Sequence, residues 1–150
     1  MASYYNDYPF LIMPRRSKSE ELLEFEVRFY EKLLAAYPDF IDALIPLGEA
    51  YTRRGLYEKG LEVDLRLAAL RGDDPVVWYN LACSYSMLKR IDDALEALRR
   101  SIGLGYSDVT HLRNDPDLLN LRQSPKYRQF LESCASHPTT GAQPPGSSPV

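Results

Sequence analysis

Residues Asp74–Leu104 read DPVVWYNLACSYSMLKRIDDALEALRRSIGL. Asp74 suits a helix N-cap, and Pro75 suits the first helical position, where an absent N–H leaves nothing unsatisfied. Trp78, Leu81, Ala82, Tyr85 and Leu88 then recur at helical spacing. Lys89-Arg90 interrupts the pattern, and Ile91, Ala94, Leu95, Leu98 and Ile102 resume it. The stretch is expected to form two apolar-striped helices joined by a short turn. Moving back 34 residues reproduces the pattern. Leu47 stands for Leu81, Gly48 for Ala82, Tyr51 for Tyr85, Tyr57 for Ile91 and Gly60 for Ala94. A helix–turn–helix unit repeated at that period buries its apolar faces by stacking on its neighbours.

The repeat can be followed outward in both directions. Ile41 to Arg53 and Tyr57 to Leu70 are the two helices of the earlier unit, with Gly55 as the left-handed cap between them. Tyr57, Leu61, Leu65 and Ala68 are expected on one face of the second. Pro46 lies inside the first and is expected to start or kink it. Before this unit, Ser17-Lys-Ser-Glu20 has the capping-box pattern, and Leu22, Phe25, Phe29, Leu33 and Ala36 step by three or four toward Pro38. That stripe is expected to be the buried face of a helix over 19–37. After the second unit, Asp108, Asp115-Pro116 and Ser124-Pro125 are helix-start devices for a closing segment, whose apolar residues include Leu112, Leu118, Leu121, Tyr127 and Phe130.

The resulting plan has an aromatic segment over 1–16, a helical domain over 17–135 and a Pro/Gly/Ser-rich tail over 136–150. The domain comprises the helix 19–37, repeats 41–74 and 75–108, and an end module 109–134. The segment 1–16 is expected to be extended or disordered, with Tyr8 to Met13 lying extended against the helical body in the first case, and the tail to be disordered.

With helix–turn–helix content at a 34-residue period and the residues Leu47, Gly48 and Tyr51, the chain resembles the tetratricopeptide repeat (TPR) family. The string from Leu112 to Leu121, followed by Ser124-Pro125, Tyr127 and Phe130-Leu131, resembles the end module of many bacterial TPR arrays. The resemblance implies an all-α, right-handed solenoid of helical hairpins. It also implies a concave groove lined by the first helix of each repeat. Carried over position by position, that groove takes Asp42, Ile45, Glu49, Thr52 and Arg53 from the first repeat. From the second it takes Val76, Tyr79, Asn80, Cys83, Ser86 and Met87. Glu49, Thr52, Arg53, Tyr79, Asn80, Cys83 and Met87 are the expected partner contacts. Aromatic, Asn and Met side chains offer rigid area, two-way hydrogen bonding and a pliable thioether. On this reading Tyr51 and Tyr85 belong to the core, and Tyr79 and Asn80 to the groove surface. One TPR subclass clamps the carboxylate terminus of heat-shock chaperones with a Lys and an Asn in the preceding repeat. Here those positions hold Ile45 and Glu49, so no such clamp is expected.

The remaining chemistry points away from catalysis. Of the two histidines and two cysteines, Cys134 and His137 are three apart, a spacing that could set two metal ligands together on a helix, but Pro138 follows and no second pair exists. His111 and Cys83 have no catalytic or ligand partner in sequence. No phosphate-loop, dinucleotide or zinc-protease motif is present. No metal or cofactor is expected, and no enzyme. A net charge of −3 disfavours nucleic acid as the partner, since that affinity comes from neutralising phosphates. No apolar run reaches the length of a membrane span, and the N-terminus lacks a secretory leader. The expectation is a cytoplasmic module that binds a protein or peptide. The alternative is a homodimer formed through the incomplete N-terminal repeat.

Overall fold

The Ser17 hydroxyl accepts a hydrogen bond from the Glu20 amide at 3.2 Å, and the Glu20 carboxylate accepts one from the Ser17 amide at 2.7 Å. This reciprocal pair satisfies two otherwise unpaired N–H groups and starts α1 (Lys18–Ala36). The computed structural model describes residues 17–136. The expectations for 1–16 and 137–150 lie outside the described residues. Four helices follow in two hairpins: α2 (Ile41–Arg53) with α3 (Tyr57–Leu70), and α4 (Pro75–Met87) with α5 (Ile91–Gly103). Then come α6 (Val109–Asn114), a 3-10 turn over Pro116–Leu118, α7 (Leu119–Arg122) and α8 (Pro125–Ser136). From α1 to α5 each helix packs on the next, and the 3-10 turn and α7 fold back onto α4. Among the described residues the chain is an all-α solenoid of helical hairpins.

The 34-residue period holds down to single hydrogen bonds. In the first unit the Gly55 amide donates to the Thr52 carbonyl at 2.9 Å, and the Leu56 amide to the Tyr51 carbonyl at 2.9 Å. In the second, the Lys89 amide donates to the Ser86 carbonyl and the Arg90 amide to the Tyr85 carbonyl, also at 2.9 Å. Both turns close the preceding helix through one residue in the left-handed region, with φ of 70° at Gly55 and 58° at Lys89. Core positions repeat in step. Leu47 and Leu81 are buried, as are Gly60 and Ala94. The small residues set how near the paired helices come. A Cβ on Gly48 would lie 3.3 Å from Val63 Cγ1, tighter than ordinary contact.

Three expectations are corrected. The first concerns α1. Leu22 and Phe25 are each 59% exposed and Phe29 51%, so these three residues of the stripe read as buried face outward, while Leu33 is half-buried against the core as expected. The face against α2 is Leu23, Val27, Tyr30 and Leu34 instead. Both stripes have helical spacing, and periodicity alone does not choose between them. In α3, Leu65 is exposed while Leu61, Val63, Leu67 and Ala68 are buried, because α3 packs on both α2 and α4. Finally, α2 begins at Ile41 and runs through Pro46, so the proline does not start the helix.

Lys89 adopts a backbone conformation that costs a residue with a side chain about 1–2 kcal/mol. Lys89→Gly is expected to stabilise the chain by about 0.5–1 kcal/mol, a rise of a few degrees in thermal denaturation followed by circular dichroism.

Candidate functional site

An open cleft of about 470 Å³ runs along α2, α3 and α4 and ends at the segment joining α6 to the 3-10 turn. Its formation follows from the packing order. Helices α2 and α4 both lie against α3, so their neighbouring faces form the two walls. Ile45, Glu49, Thr52 and Arg53 line it from α2, and Tyr79, Asn80, Cys83 and Met87 from α4. The seven expected contact residues therefore share one cleft. Asp42 and Val76 do not line it. Ser86 is fully buried beneath the C-terminal segment, where its hydroxyl accepts from the Leu121 amide at 3.2 Å.

Tyr79 and Cys83 line the cleft from within the core. Tyr79 is 3% exposed and stacks on Tyr106 with centroids 4.4 Å apart. Its hydroxyl donates to Asp115 Oδ2 at 2.7 Å. The Cys83 thiol lies 3.8 Å from the same oxygen. Burial, then the charge of Asp115, pushes the Cys83 thiol well up, which keeps it protonated and weakly nucleophilic. The reading of Tyr79 as a groove-surface residue distinct from the core is thus corrected. The connector after α6 closes over it, an arrangement that helical spacing within α4 does not reveal. Asn80 is exposed and Met87 half-buried, and both are open to a ligand.

Several lining groups were not anticipated. Asp64, Ser84, His111, Asp115 and Asp117 all border the cleft. His111 Nε2 lies 3.2 Å from Asp115 Oδ2. Asp115 also caps the 3-10 turn by accepting from the Asp117 amide at 2.9 Å. Asp64 occupies the register position that Leu98, fully buried, holds in the second unit. Burial pushes its carboxyl from the ordinary 3.8 up to about 6, and the hydrogen bond donated by Ser84 offsets only part of that. Asp117 is also raised, by burial and then by Asp115. Arg53 is drawn to Glu26 on α1, 2.5 Å away. The cleft therefore presents Glu49, Asp64, Asp115 and Asp117 against Arg53 and His111. One sequence signal marked this polarity, the carboxylate at position 64 in a place where the repeat calls for an apolar residue. Among the described residues no group of His, Cys, Asp and Glu side chains is arranged to hold a metal ion. None of the described helices is long and apolar enough to cross a membrane.

No protein-family model matches the chain. It is similar to a chloroplastic protein of Arabidopsis thaliana, with 38% identity over 96 residues covering 57% of this chain and 28% of that protein. It is also similar to a TPR repeat-containing protein of Methanocaldococcus jannaschii, with 28% identity over 76 residues covering 51% of this chain and 13% of that protein. The chain thus spans less than a third of either relative. The second similarity agrees with the stacked hairpins at a 34-residue period. The name of the first places that protein in the chloroplast, whereas the N-terminal reading here gave the cytoplasm.

Asp64 provides a test of the cleft's electrostatics. Its folded pKa is raised, so between about pH 4 and pH 6 the folded chain holds more protons than the unfolded one. Its contribution to stability therefore falls as pH rises through that window and is least favourable above about pH 6. Asp64→Asn keeps an acceptor for the Ser84 hydroxyl. It is expected to raise the unfolding free energy at neutral pH by about 1–3 kcal/mol and to flatten the profile below it. Urea melts across the window check both.

Proposed function

We propose that the cleft binds a short segment of a partner protein and that this segment places a lysine or arginine among Glu49, Asp64 and Asp117. One observation carries the reading. Exposed polar groups from both repeats converge on one open cleft with an excess of carboxylates. Asn80, exposed on the α4 wall, offers a peptide backbone both a donor and an acceptor. Ile45 and Met87 supply apolar area for neighbouring side chains. The similarity to a TPR repeat-containing protein supports a protein-interaction role.

The acidic cleft gives Asp64 a purpose that folding alone does not. A part-buried carboxylate raised to about 6 opposes stability at neutral pH, and a bound cation reverses that term. Such a binding role fits the chemistry better than catalysis, since the raised Cys83 thiol is a poor nucleophile. Few groove residues are positioned as energetic anchors, which sets the expected affinity near micromolar.

A panel of fluorescent peptides with basic, neutral or acidic centres, titrated by anisotropy, tests this reading. Basic peptides are expected to bind with a Kd of about 1–100 µM that weakens as salt is added. Glu49→Gln and Asn80→Ala are each expected to reduce affinity roughly 3–10-fold at unchanged melting temperature, because both residues are exposed. Preference for acidic peptides, or equal binding by both variants, contradicts the proposal.

A further inference from the structure

The helix α1 has two apolar faces. Leu23, Val27, Tyr30 and Leu34 turn toward α2. Roughly on the opposite side, Leu22, Phe25 and Phe29 stand in solvent, with Phe25 and Phe29 stacked at 6.2 Å. Half-buried Leu33 and exposed Ala36 continue this line toward Tyr37 and Phe40, which border a shallow apolar hollow. The exposed stripe is about 20 Å long, from the helical rise between positions 22 and 36. A helix apolar on opposite sides is normally sandwiched between two layers. Among the described elements α1 packs chiefly on α2, with an ion pair from Glu31 to Lys59 on α3 at 3.5 Å.

The charges beside the stripe indicate what covers it. Glu21, Arg28 and Lys32 lie along one edge by helical spacing, and all three are exposed. Neither Glu21 nor Lys32 is in an ion pair among the described residues. Two antiparallel copies of a helix related by a two-fold axis bring identical edges together. With the axis near the midpoint of Phe25 and Phe29, Glu21 of one copy lies across from Lys32 of the other, and the reverse. The same axis sets Phe25 opposite Phe29 and Leu22 opposite Leu33. Arg28, beside the axis, meets its own counterpart, and Glu24 of the same helix, 4.0 Å away, offsets that repulsion. In a parallel two-fold pair the same edge falls on opposite sides of the seam, so Glu21 and Lys32 do not meet.

We infer that α1 is a self-association surface, on which a second copy of the chain lays its own α1 antiparallel across Leu22, Phe25 and Phe29. The dimer would continue the layer order α2, α1, then α1 and α2 of the second copy. It would leave the cleft open, since the cleft lies among α2, α3 and α4, so this inference does not depend on the cleft's function. A strip one helix wide is below the usual size of a permanent interface, so the dimer is expected to form with a Kd of about 10–100 µM.

Sedimentation equilibrium of the full chain, from about 1 to about 300 µM, reads this directly. The mean mass is expected to climb from one copy toward two. Phe25→Ser/Phe29→Ser is expected to remain monomeric with an unchanged melting temperature, because both rings are exposed. Glu21→Lys and Lys32→Glu are each expected to weaken association roughly 10-fold. Mixing these two single variants, or combining them in one chain, is expected to restore it. One copy at every concentration overturns the inference, as does association indifferent to these substitutions. A photo-cross-linker at position 25 that labels residues 1–16 of its own copy, or only a different protein, also overturns it.

Discussion

The rest of the structure depends on the enclosure of α4. Its neighbours are α3 on one side, α5 on another, and the 3-10 turn and α7 on a third. Apolar residues around most of its circumference make sense only for such a helix. Val77, Tyr79, Leu81, Ala82 and Cys83 are buried, and Trp78 donates its indole N–H to the Gly72 carbonyl at 2.9 Å while Arg100 covers its ring at 4.1 Å. Polar groups on α4 are spent on joining elements. The Ser101 hydroxyl donates to the Pro75 carbonyl at 2.7 Å and ties α5 to the start of α4. Asn120 donates to the Ser86 carbonyl at 2.9 Å and ties the C-terminal segment to its end. With this helix fixed, the hairpins have a common spine and the cleft has a wall.

The same enclosure explains the cleft's polarity. In the second unit the position equivalent to Asp64 holds Leu98 and contributes to packing. In the first unit it holds a carboxylate answered by the Ser84 hydroxyl on α4. Burying a carboxylate without a cation works against stability, and the raised pKa is that penalty seen from the proton's side. A departure from the repeat's own pattern at a concave surface is where a binding requirement and a folding requirement differ. The exposed rings of α1 are a second departure of this type, placed on the first described helix and not in the groove.

Much of the fold was legible in the sequence because it rests on local signals. Asp74-Pro75, Gly55 and the Ser17–Glu20 box fix helix ends through bonds spanning a few residues, and the 34-residue period fixes the hairpin order. Lys89 stands 34 positions after Gly55, and its φ of 58° shows that it takes the same left-handed turn position. The face of α1 was not legible. Both of its apolar stripes have helical spacing, and only the position of α2 selects Val27 and Leu34 for burial. Tyr79 failed for a related reason. Its cover comes from Tyr106 and Asp115, a turn and a connector 27 and 36 positions further along, and no pattern within α4 encodes that contact. The cleft's walls followed from the repeat, but its acidic end belongs to a connector that no periodicity describes.

Native-state hydrogen exchange distinguishes an enclosed α4 from one that opens locally. If α4 is the enclosed spine, the amides of residues 79–86 exchange only through global unfolding and share the free energy of the urea-measured transition. Amides of α1 and α8, each packed on fewer neighbours, exchange earlier through local opening. Exchange from α4 as fast as from α1 would contradict the account. The stack would then not be organised around that helix, and the cleft would lack a rigid wall.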